Sequence, residues 1–177
     1  MWASFSSGQI KSLDEAGRFA GYASVFHVVD HQSDMVVPGA FGEAMRKPAS
    51  AVKLLWQHQW QEPIGRIDRL FEDSTGLYIE AQLLLDVARA KEAYVLMKEG
   101  VLNGLSIGYR ADRFRTDADS GVRILREVTL YEISLVTMPA NPQARVSLIK
   151  QHEGEGEHAA LSAALHKAQQ ALLVAMR

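Results

Sequence analysis

The sequence predicts an α+β fold made mainly of antiparallel strands, and three observations carry that expectation. Segments rich in β-branched and aromatic residues, or alternating apolar with polar, recur between Arg18 and Thr137. Pairs of them are joined by acidic turns that end in glycine, Asp73–Gly76 and Asp117–Gly121. Within that region a single long stretch, from Val87 to Val101, spaces its apolar residues as a helix does.

Composition narrows the classes. The chain has 177 residues, the size of one domain with room for a real core, and 47% hydrophobic against 23% charged residues is ordinary for a globular protein. A net charge of −2 leaves no basic footprint for a nucleic acid, so none is expected as a partner. The absence of cysteine excludes disulfides, thiolate nucleophiles and thiolate-bound zinc. No run approaches the roughly 20 apolar residues of a membrane span, and the N-terminus lacks a basic start followed by an apolar block. The expectation is a soluble protein of a reducing interior, with no membrane partner.

In chain order, Arg18–Phe26 reads as a strand, with Gly21 marking a bulge or a close backbone approach. A polar loop, 30–34, leads to Pro38 and Gly39, after which Ala40–Lys47 reads as a short helix. His27 and His31 have the spacing of a metal pair on a helix, but they fall where strand runs into loop, so no metal is expected. Ala51–Gln57 is a strand that delivers His58, set between Trp56 and Trp60. Ile64–Phe71 and Leu77–Leu85 form an antiparallel hairpin with one solvated face. Val87, Ala90, Tyr94, Met97 and Val101 mark one face of the long helix, which Gly100 stops. Ser106 then opens a long strand, and its return partner runs from Val122 to Thr137. Pro139 and Pro142 break the chain before a short last strand, Ala144–Ile149. Three regions are expected: a domain over 1–150, a polar linker over 151–158 and an amphipathic helix over 159–177.

The chemistry centres on Gly104-Leu105-Ser106-Ile107-Gly108. The letters match the nucleophile elbow of α/β-hydrolases, but that elbow needs a strand before the serine and a helix after it. Here the order is reversed, and the histidines downstream, His152, His158 and His166, all lie in the linker and tail. The elbow is excluded. The order His58, Ser106, Glu132 is workable instead: the imidazole takes the serine's proton and the carboxylate holds the imidazole. Glu132 stands in an otherwise apolar strand, where a carboxylate needs a partner. Glu127 is the rival acid and Asp34 a weaker third. Alternatively, Glu132 pairs with an arginine such as Arg66, Arg110 or Arg145.

Several ordered segments resemble the prohead (capsid maturation) proteases of tailed phages, the HK97-type group related to the herpesvirus assemblins. They are 21–26, Asp34 with Pro38–Phe41, Leu55–His58 with Pro63–Gly65, Gly104–Gly108, and Glu132–Pro142. The resemblance spans about residues 10 to 150. It implies a closed or partly closed β-barrel with flanking helices, and a serine endopeptidase without a cofactor. Its substrates would be the major capsid protein and scaffold segments, and also the enzyme itself, inside the assembling prohead in the host cytoplasm. By motif, Ser106 is the nucleophile, His58 the base and Glu132 the third member, in a place where assemblins use a second histidine. Assemblins are activated by dimerisation, so a homodimer or higher oligomer is an expectation. The alternative reading is a non-enzymatic capsid-assembly or scaffold-binding module.

Overall fold

The structure, a computed structural model, describes residues 13–147. The expected linker and C-terminal helix lie outside the described residues. In chain order the elements are β1 (Arg18–Val25), β2 (Asp34–Val36), α1 (Gly42–Met45), a 3-10 turn (Ala49–Ala51), β3 (Lys53–Trp56), β4 (Gln59–Glu72), β5 (Gly76–Leu83), α2 (Ala88–Lys98), β6 (Gly104–Thr116), β7 (Arg123–Val136) and β8 (Val146–Ser147). The fold is mostly β with few helices.

The eight strands form one sheet, strongly curled into a half-barrel. Consecutive strands β3–β4, β4–β5 and β6–β7 pair antiparallel, as local hairpins do. β7 organises the rest. β6 runs antiparallel along nearly its whole length, while β2 lies parallel to its first residues and β3 parallel to its last. The sequence did not announce these parallel pairs, because each joins segments far apart in the chain. Beyond β5 the order continues through β1 to β8. Arg145, just before β8, bridges to Gly104 at the start of β6, with N–H of Leu105 donating to O of Ala144 at 3.0 Å and N–H of Val146 to O of Asn103 at 2.9 Å.

The curl encloses a core that includes Phe19, Leu54, Ile64, Leu77, Ile79, Leu105, Ile133 and Leu135, all at most 1% exposed. α2 lays Ala90, Ala93 and Met97 against it. Val101, expected on the same helix face, is exposed, because the helix ends at Lys98 and Gly100 takes a φ of 72°. Burial of this apolar surface is the main drive that holds the curled sheet together.

Strand alternation decides what β6 and β7 show to each side. Leu105, Ile133 and Leu135 point into the core. On the opposite face the register sets Ser106 across from Ser134 and Gly108 across from Glu132.

Candidate active site

β3 and β4 are joined by two residues, Gln57 and His58, with Trp56 paired to Gln59. Both loop residues have positive φ, 48° and 60°, the signature of a type I′ hairpin turn. Such turns favour Asn-Gly, so nothing local marked this one. That is why β4 begins at Gln59 rather than near Pro63, where the sequence reading started the strand. The parallel pairing of β3 with β7 then carries the turn to the end of β7, where N–H of Gln57 donates to O of Leu135 at 3.0 Å.

The result is a compact polar cluster. His58 Nδ1 lies 2.6 Å from Glu132 Oε1. The second carboxylate oxygen, Oε2, accepts a hydrogen bond of 2.8 Å from the Ser134 hydroxyl, and that same hydroxyl accepts one of 3.0 Å from the backbone N–H of His58. Glu132 is 4% exposed and Ser134 fully buried, whereas the His58 side chain is 43% exposed. Ser106, 4% exposed, lines with His58 an open cleft of about 750 Å³, together with Gly108, Tyr109, Met138 and Ala140. Among the described residues no hydrogen bond joins Ser106 to His58.

The glycines of the pentapeptide are required by their own surroundings in the fold. A Cβ on Gly108 would stand 2.2 Å from Glu132 Oε1, and one on Gly104 would stand 2.6 Å from the Val136 carbonyl oxygen and 2.9 Å from Pro139. The protein itself fills both spaces.

The rival acids fall elsewhere. Glu127 is exposed and pairs with Arg113 at 3.3 Å. Asp34 is fully buried, its carboxylate held by Arg123 at 2.5 and 2.6 Å and by the Tyr109 hydroxyl at 2.5 Å. The arginines that offered Glu132 a structural partner are otherwise engaged: Arg66 with Asp68 and Gln82, Arg110 with Asp112, and Arg145 with Asn103. Burial, and then the hydrogen bond to Asp34, push the Tyr109 phenol far above its ordinary range.

Six polar or charged residues are buried among the described residues: Ser24, Asp34, Ser106, Glu132, Ser134 and Asn141. Four of them, Ser24, Asp34, Ser106 and Asn141, line a small cavity behind Ser106, and the other two form the His58 cluster. Buried polar groups need partners, so such a concentration makes this end of the sheet the candidate site. No group of three or more His, Cys, Asp or Glu among the described residues has the arrangement of a metal site.

Both the sequence and the curled β-sheet match known proteins. Residues 6–158 match the family model described as caudovirus prohead serine protease, and the chain belongs to that family. It is similar to the prohead protease of Enterobacteria phage HK97, 34% identical over 155 residues, covering 85% of this chain and 69% of that one. Two solved structures share the fold at a TM-score of 0.52 each. One, a KSHV protease bound to a hexapeptide phosphonate inhibitor, is 15% identical and covers 73% of this chain and 63% of its own. The other, the bacteriophage T4 capsid assembly protease, is 12% identical and covers 67% and 82%. The role of the chain is that of a capsid maturation protease.

Proposed function

We propose that the chain is a serine endopeptidase in which Ser106 is the nucleophile, His58 the general base and Glu132 the acid that orients it. The contact that carries this reading is the 2.6 Å pair between His58 Nδ1 and a buried carboxylate that no lysine or arginine among the described residues pairs with. With Nδ1 engaged, Nε2 is the nitrogen left to take a proton from Ser106 Oγ as it attacks a peptide carbonyl. The same nitrogen returns that proton to the leaving amine, and water then releases the acyl group by the reverse use of His58. The Ser106–His58 contact forms as substrate fills the cleft, as catalytic hydrogen bonds that are long in free enzymes commonly do. Within 139–145, two positions are prolines, and the N–H groups of Gln143 and Ala144 are taken by Asn141. The oxyanion candidates of that segment are therefore Ala140, Asn141 and Arg145.

The substrates are scaffold and capsid-protein segments enclosed in the prohead, and the enzyme's own chain. The strand pairing around β6, β8 and β1 supports a barrel closed through the Gly104–Arg145 bridge. The domain over 1–150 is the catalytic unit, and the segments at 151–158 and 159–177 are an appendage for recruitment or self-association. Ser106→Ala should abolish cleavage of capsid or scaffold protein while leaving the far-UV spectrum and melting temperature unchanged. Undiminished cleavage by this variant would remove Ser106 from the mechanism. If the role were only that of a binding module, deleting 151–177 would abolish packaging while Ser106→Ala left maturation intact.

A further inference from the structure

We infer that Ser134 is a positioning residue that sets the tautomer of His58, working through Glu132 and resting on the assignment of His58 as base. The reasoning starts from a group whose role cannot change. The backbone N–H of His58 can only donate, and it donates to Ser134 Oγ at 3.0 Å. Ser134 Oγ is an acceptor there, so its single hydrogen goes to its other neighbour, Glu132 Oε2, at 2.8 Å. Oε2 is thereby an acceptor, and the carboxylate presents Oε1 to His58 Nδ1 as an acceptor too. The proton of the neutral ring sits on Nδ1, and Nε2 is left bare to receive the proton of Ser106. Two donor lines thus start from His58, one from its backbone through Ser134 and one from its ring, and both end on the Glu132 carboxylate.

Two further observations fit this role. Ser134 is fully buried between strands, paired in register with Ser106 on β6 and with Leu55 on β3, so its hydroxyl has no water to turn toward. The His58 backbone is left-handed, φ 60°, a conformation that costs a non-glycine residue energy and needs its surroundings to hold it. Ser134 holds that backbone and the carboxylate with one oxygen atom. Gly108 completes the cradle, since any side chain there would strike Oε1.

The test replaces Ser134 by Ala, which removes the donor and the acceptor together, and by Cys, which keeps the side-chain shape with a larger atom and a far weaker donor. Two readouts are paired. One is kcat and KM on a capsid-protein peptide; the other is the ¹⁵N spectrum of the His58 ring, recorded in the Ser106→Ala background with the ring neutral. The expected result for Ser134→Ala is a kcat lower by about 10- to 100-fold with KM within about twofold, and a ring that shifts from the Nδ1–H form to a mixture. Ser134→Cys should fall between wild type and Ala in both, and it stands in as the test if the Ala variant fails to fold. A loss of kcat with the ring unchanged would make Ser134 merely structural, and a changed ring with full kcat would make the tautomer irrelevant; either overturns the inference. Because the ring is observed without Ser106, failure of the nucleophile assignment shows separately, as activity surviving Ser106→Ala.

Discussion

Two buried carboxylates, both served by β7, have opposite fates. Asp34 is paired to the guanidinium of Arg123 through both oxygens and further bonded to Tyr109, so every partner it has is a donor that keeps its proton in neutral solution. Glu132 is paired to an imidazole, the one side chain that gains and loses a proton near neutrality, and to a serine hydroxyl. The first arrangement is a clamp. Its arginine stacks on the Phe114 ring, 5.4 Å from the centroid, and ties β2 to the start of β7. The second can change its charge state during a reaction. Neighbouring burial does not make two acids equivalent; the chemistry of the partner decides which one is a fixed ion pair and which one faces a group that titrates near neutrality.

The largest effect that would sharpen this contrast is on rate. Glu132→Gln should lower kcat by about 10³- to 10⁴-fold, since an amide can hold the ring in the wrong tautomer, with little change in thermal stability. Steady-state kinetics beside a melting curve would decide it, and retained activity would return the third role to another acid. Gly108→Ala follows. The added methyl must displace the Glu132 carboxylate from its 2.2 Å approach, and a misplacement of this order costs about 100-fold in kcat. Asp34→Asn should do the reverse of Glu132→Gln. It leaves Arg123 without its counter-charge and should cost about 2–3 kcal/mol in denaturant unfolding, the remaining charge being half-exposed and so only partly penalised.

The smallest effect concerns Tyr109. Tyr109→Phe removes one hydrogen bond to Asp34 and should cost about 1 kcal/mol near neutral pH. The phenol's raised pKa sets the sign of the pH dependence. The neutral form is favoured in the folded state, so this stabilisation is complete below the ordinary phenol value of about 10 and is lost as pH rises beyond it. The wild type's advantage over Tyr109→Phe should therefore be constant up to about pH 9 and shrink above about pH 10. A constant difference up to pH 11 would show that the ring is not shielded in the folded state.

What the sequence made legible was local. The strands, the hairpin of β4 and β5, the stop of α2 at Gly100 and the turn at Asp117–Gly121 all carry their signal within a few residues. The chain order of His58, Ser106 and Glu132 was legible too, through the motifs around them. Long-range pairing was not. Nothing near Asp34 points to Arg123, 89 residues away, and nothing in β2 or β3 says that they run parallel to β7. Ser134 escaped notice as one serine in an apolar strand; its shared strand face with Glu132 was the available hint. The Gln57–His58 turn was hidden because neither residue is one that such a turn ordinarily selects.

That turn also sets a price on improvement. Its second position, where a type I′ turn most favours glycine, holds His58. Glycine there would relax the backbone and make the hairpin easier to form, at the loss of the imidazole proposed as the base. Attempts to harden this protein by selecting for heat resistance alone would thus press directly on that proposed base. The safe place to gain stability is one residue earlier, at Gln57, where asparagine would suit the turn and leave His58 alone.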